Sequence, residues 1–159
     1  MARRQSFNPY VEAIACLFIT VVFGQSLFFK FTNAPETQFI FGTLDKWAAG
    51  FLVAGLFDPE GIFSAKVIGS GELVASILLF ASVVIGQRTL RVLGALLAFC
   101  IITGALFFHL FTPLGVVIQG DGGLLFSLAC GVWLCAGFLI VRNFGTVKAL
   151  AFRLLPGRG

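Results

Sequence analysis

Glu72 is the residue whose type and setting most invite chemistry, because it is a carboxylate inside the apolar run from Ser64 to Gly86. It lies about eight residues into that run, roughly 12 Å at about 1.5 Å per residue, which places it below the headgroup level of a bilayer. A charge at that depth is costly unless it faces protein, is paired or takes up a proton. Lys30, at the end of the first apolar run, and His109, near the end of the third, fall in the same half of the chain's membrane profile. These three could converge on one pocket that holds the head group of a quinone-like or other amphiphilic ligand, with Glu72 or His109 handling a proton. Gln25 and Asp121 are second-rank members of the same candidate ligand site. The competing reading is an interhelical tie, Glu72 with Lys30 or Glu72 hydrogen-bonded to His109, that fixes helix register. The sequence leaves both readings open and assigns no catalytic residue.

Helices are needed to bring these groups together, and the spacing supplies them. Glu12, Cys16, Thr20, Phe23, Ser26 and Lys30 advance by fours and threes, so they form one stripe on a first helix. Ala65, Gly69, Glu72 and Ser76 share a face of the second, where small residues let a neighbour approach. Ala95, Ala98, Ile102, Ala105, His109 and Thr112 make the matching face of the third. Glu12 is about 27 Å from Lys30 along a straight helix, so those two cannot pair.

The chain has 159 residues, of which 58% are hydrophobic and only 11% charged, and its mean hydropathy is +1.02. Soluble domains carry about 25% charged residues, so this is a membrane protein. The sequence predicts an all-α fold, a four-transmembrane-helix bundle in a single membrane domain over residues 1–159. Its spans cover about 10–29, 64–86, 92–111 and 124–141, followed by an amphipathic tail over 142–159. Between the first two spans, Asn33-Ala34-Pro35-Glu36 carries the signals of a helix start. Ile40, Leu44, Trp47 and Phe51 then recur on one face, and Asp58-Pro59-Glu60-Gly61 closes the segment as a turn. Residues 34–57 therefore read as an amphipathic interfacial or re-entrant segment, with Trp47 and Phe51 at the interface.

Charge sets the expected orientation. Arg3, Arg4, Arg88, Arg91, Arg142, Lys148, Arg153 and Arg158 fall on one side, against Lys30, Lys46 and Lys66 on the other. Eight against three favours both termini in the cytoplasm, with a bacterial inner membrane as the expected location. The net charge of +4 thus follows topology, and nucleic-acid binding is excluded. The first run is read as an uncleaved helix, since Lys30-Phe31-Thr32-Asn33-Ala34 lacks a cleavage site of small residues.

Several chemistries lack their residues. Cys16, Cys100, Cys130 and Cys135 sit in apolar runs with no Cys-x-x-Cys pair, which argues against disulfide exchange and for packing roles. A single histidine and scattered cysteines supply no zinc, iron–sulfur or paired-haem ligand set, so no metal site is expected. No phosphate loop or nucleophile elbow is present. The 20 phenylalanines read as bulk against acyl chains. No covalently bound cofactor is expected; a quinone or lipid is the ligand class considered.

The chain resembles the DoxX-like family of small four-helix membrane proteins. The resemblance is carried by Gly24-Gln25-Ser26-Leu27-Phe28-Phe29-Lys30-Phe31, by Trp47-Ala48-Ala49-Gly50-Phe51, and by Gly71-Glu72-Leu73-Val74-Ala75-Ser76-Ile77-Leu78-Leu79. It implies that Lys30 is the family's lysine at the end of the first helix and Glu72 its glutamate in the second; nothing about His109 carries over. It also implies association with redox proteins, as in a subunit of a thiosulfate:quinone oxidoreductase. The expected function is a membrane subunit of a quinone-linked redox complex. The alternative is a non-catalytic accessory or assembly subunit of a larger energy-transducing complex; both expect other membrane subunits as partners.

Overall fold

A computed structural model describes residues 9–50 and 53–154, with helices joined by turns and irregular segments in the order α1 (Pro9–Phe31), α2 (Pro35–Ala49), α3 (Ala65–Ile85), α4 (Arg88–Phe111), α5 (Leu124–Arg142) and α6 (Phe144–Leu154). Of these, α1, α3, α4 and α5 are long and apolar enough to cross a membrane. The chain is an integral membrane protein. Helix α1 packs on α3 and α5, and α4 packs on the same two, so each long helix has two long neighbours. The shared core is small-residue rich: Ala15, Cys16, Ala75, Ala95, Ala98, Ala129 and Ala136 are buried with Ile19, Phe23, Leu79 and Leu139. In lipid, such residues let backbones approach and gain dispersion contacts that lipid tails cannot supply. A close backbone approach is at Gly94 of α4, where an added Cβ would lie 2.9 Å from Leu79 Cγ and 3.1 Å from the Ala75 carbonyl oxygen.

The expected inward faces are the observed ones. On α3, Gly69, Glu72 and Ser76 are buried and Ala65 half-buried; on α4, Ala95, Ala98, Ile102 and His109 are buried. No member of the α1 stripe from Glu12 to Lys30 is exposed.

Helix ends differ from expectation in ways that matter. Helix α4 starts at Arg88 rather than at residue 92, so Arg91 belongs to its first turn and not to a basic loop. Gly86, in the left-handed region at φ 76°, ends α3 and lets the chain turn within two residues. Ser64 caps α3 by accepting a hydrogen bond from the Val67 N–H at 3.4 Å. Asn33 does not cap α2. It takes a left-handed conformation at φ 52° that closes α1, and Ala34 is the residue before the α2 first turn. Helix α2 stops at Ala49, so it covers the first part of the expected 34–57 segment.

Residues 53–64 are turns rather than helix. Asp45 holds them from α2 by accepting the Phe57 N–H at 3.1 Å, and the Phe63 N–H donates to the Leu56 carbonyl. Leu44 and Ala48 of α2 pack there with Phe57, Leu114 and Ile118 in a second apolar cluster, which Ile40 and Trp47 join at its edge. The Trp47 ring stands edge-on to Phe108 at 6.1 Å. Phe51 lies outside the described residues.

Candidate functional site

Lys30 and Glu72 form an ion pair between the last turn of α1 and the inner face of α3. The Lys30 ammonium donates to both Glu72 carboxylate oxygens, at 2.9 and 3.0 Å, and to the Ser26 hydroxyl one turn earlier on α1. Their side chains are 14% and 6% exposed. The lysine stem lies across Gly69, where a Cβ would stand 3.5 Å from Lys30 Cδ, an ordinary contact distance. The Lys30–Glu72 form of the interhelical tie is present. The Glu72–His109 form is not among the described hydrogen bonds.

His109, in the last turn of α4, instead donates its Nδ1–H to the Gly115 carbonyl at 2.6 Å, and its ring lies edge-on to Phe126. Gly115 reaches that position at φ 71°, in the turn that follows Thr112-Pro113. Asp121 organises the next turn: Oδ1 accepts from the N–H groups of Ile118 (2.8 Å) and Gly123 (2.9 Å), and Oδ2 from that of Leu125 (3.0 Å). The bonds from Leu125 and Gly123, with smaller help from Ile118 and the nearby His109, hold its carboxyl below the ordinary value against weak desolvation.

All five residues expected at the site, Gln25, Lys30, Glu72, His109 and Asp121, line one cavity of about 560 Å³. Its wall is otherwise mostly apolar, with Phe23, Phe29, Phe41, Phe57, Phe63 and Phe108 among the lining residues. That volume and that mixture, a few polar groups on an aromatic wall, suit a small amphiphile. Sequence reasoning missed Glu36, Thr37 and Cys100, which also line it. For Thr37, which is buried, the signal was legible: Thr37, Phe41, Leu44 and Ala48 share a face of α2. Gly104 lines the cavity too, and a Cβ built on it meets nothing within 4 Å.

A second charged cluster, also missed, sits at the opposite ends of the helices. Glu12 in the first turn of α1 pairs with Arg91 in the first turn of α4 and, at 3.5 Å, with Arg142, the last residue of α5. The expected third span, 92–111, leaves Arg91 outside the helix and so hides the cluster. Beneath it the buried Cys16 thiol lies 3.9 Å from the Ser82 hydroxyl, which donates to the Leu79 carbonyl. Among the described residues, no group of three His, Cys, Asp or Glu side chains is arranged to hold a metal ion. Comparison with family models, with curated proteins and with solved structures gave no match to this chain.

Proposed function

We propose that this chain is a membrane subunit of a quinone-linked redox complex and that its cavity holds the head group of a quinone-type amphiphile. The observation that carries the reading is the cavity itself: polar residues from α1, α3, α4 and the turn before α5 border one aromatic-lined space. The resemblance of the Lys30 and Glu72 segments to DoxX-like proteins points the same way. In this reading the four long helices form a transmembrane bundle, with α2 as an interfacial segment over the cavity. The excess of basic residues at the ends marked by Arg91 and Arg142 supports both termini in the cytoplasm of a bacterial inner membrane, with the cavity in the outer half.

The test leaves the ion pair untouched. Gly104→Phe places an aromatic ring where the cavity now has room and removes a glycine from a helix interior. We expect a decyl-quinone probe to bind the purified protein in nanodiscs and Gly104→Phe to weaken that binding at least tenfold while helicity by circular dichroism is unchanged. Undiminished binding would sink the assignment of the cavity as the site.

One observation favours the accessory-subunit reading. All three Lys30 N–H groups are used inside the protein, so the pair holds its helices together without any ligand. That reading expects a stoichiometric partner in mild detergent, and isolation of the chain as a lone monomer counts against it.

A further inference from the structure

The polar wall of the cavity has a hydrogen-bonding sense. Lys30 has three N–H donors, and they are taken by Ser26 and by the two oxygens of Glu72. His109 uses its Nδ1–H on the Gly115 carbonyl; its Nε2 accepts in the neutral ring and donates in the charged one, so His109 does not set the sense. Three carboxylates, Glu36, Glu72 and Asp121, line the same space with a single ammonium among them. Glu36 has no ion-pair or hydrogen-bond partner among the described residues. Ionised carboxylates accept and do not donate. The neutral groups Ser26, Thr37 and Gln25 can act in either sense and do not set it. The free N–H groups of the α2 first turn are donors, and Glu36 lies among them.

We propose that the cavity selects an uncharged amphiphile whose head group donates hydrogen bonds, a phenolic or alcoholic hydroxyl. It discriminates against the same skeleton bearing only carbonyl or ether oxygens, and against anionic amphiphiles. The proposal rests on the reading of the cavity as a ligand site. Its physical basis is that an acceptor brought against an acceptor leaves both desolvated and unpaired, which costs more than a missing contact. An anionic head meets like charge on Glu36 and Asp121, the charge of Glu72 being offset by Lys30. The phenylalanine wall takes the ring and chain in either case and so leaves the choice to the head group.

The experiment is calorimetric binding to the full chain in zwitterionic nanodiscs, under anaerobic conditions, with probes that share one decyl chain. These are a decyl-hydroquinone, its dimethyl ether, the corresponding quinone, decanoate and decyltrimethylammonium. The expected result is at least tenfold tighter binding of the hydroquinone than of the ether or quinone, with decanoate weaker still, and loss of hydroquinone binding in Gly104→Phe. Equal or tighter binding of the ether or quinone overturns the donor rule while leaving the cavity as the site. Tighter binding of decyltrimethylammonium than of the hydroquinone overturns it in favour of charge recognition. If no probe binds, or Gly104→Phe changes nothing, the reading of the cavity fails and the proposal with it.

Discussion

Removing one member of the Lys30–Glu72 pair should be far worse than removing both. Glu72→Leu leaves a lysine side chain that is 14% exposed with only the Ser26 hydroxyl as a polar partner, and Lys30→Met leaves a glutamate side chain that is 6% exposed with no cation. Breaking a buried pair from one side costs roughly 3–5 kcal/mol, whereas replacing both partners with apolar side chains of similar size is often close to neutral. The singles together would then sum to about 6–10 kcal/mol if independent, against roughly 0–2 kcal/mol for the double variant, a coupling well above the 0.5–3 kcal/mol of ordinary neighbours. The lower part of each range is the better guide here, because a charge released in a membrane can recruit water or snorkel. The assay is reversible unfolding of wild type, both singles and the double in mixed micelles, followed by helical circular dichroism at several denaturant levels. Singles that add to the double within about 0.5 kcal/mol would refute the pair as a structural tie, whatever its distances.

Other outcomes follow from the same geometry. Gly94→Ala is expected to cost about 1–3 kcal/mol, because its Cβ would meet Leu79 and the Ala75 carbonyl oxygen at 2.9 and 3.1 Å with backbone on one side; unfolding in the same micelles checks it, and a neutral result would show that α3 and α4 separate freely there. Asp121 has its carboxyl held low by the Leu125 and Gly123 N–H groups, so its stabilisation is complete above the unfolded carboxylate value of about 3.9 and is lost as pH falls through the lower folded value. The stability difference between wild type and Asp121→Asn should therefore narrow on acidification from about pH 5 downward; a gap that stays constant or widens would contradict the bond pattern.

The inward positions of Glu72 and Lys30 were legible because helical period alone fixes which residues share a face, and a carboxylate in an apolar run can face only protein. Their convergence with His109 and Asp121 on one cavity was legible as placement at one end of the long helices. The partner of His109 was not. Its bond goes to the Gly115 carbonyl across a turn, and a backbone acceptor leaves no mark in side-chain pattern. The start of α4 was misplaced because hydropathy sees Arg88 and Arg91 as polar, whereas a helix begins where backbone bonds can close, here just after the left-handed Gly86. That error concealed the Glu12–Arg91–Arg142 cluster. Asn33 misled for a related reason, since the residue type that favours a helix start also tolerates the left-handed conformation that ends one.

Helix α1 carries opposite charges near its two ends, each engaged by other helices: Glu12 by α4 and α5, and Lys30 by α3. A single charged contact would tolerate rotation or a small glide along the helix axis. Two, about 27 Å apart on one rigid rod, act as a length gauge. A slip of one turn, about 5.4 Å, would leave a glutamate and a lysine stranded together, so α1 has one allowed height against its neighbours. The height at which α1 presents Gln25, Ser26 and Lys30 to the cavity is therefore held by charge at both ends of the helix as well as by its apolar packing.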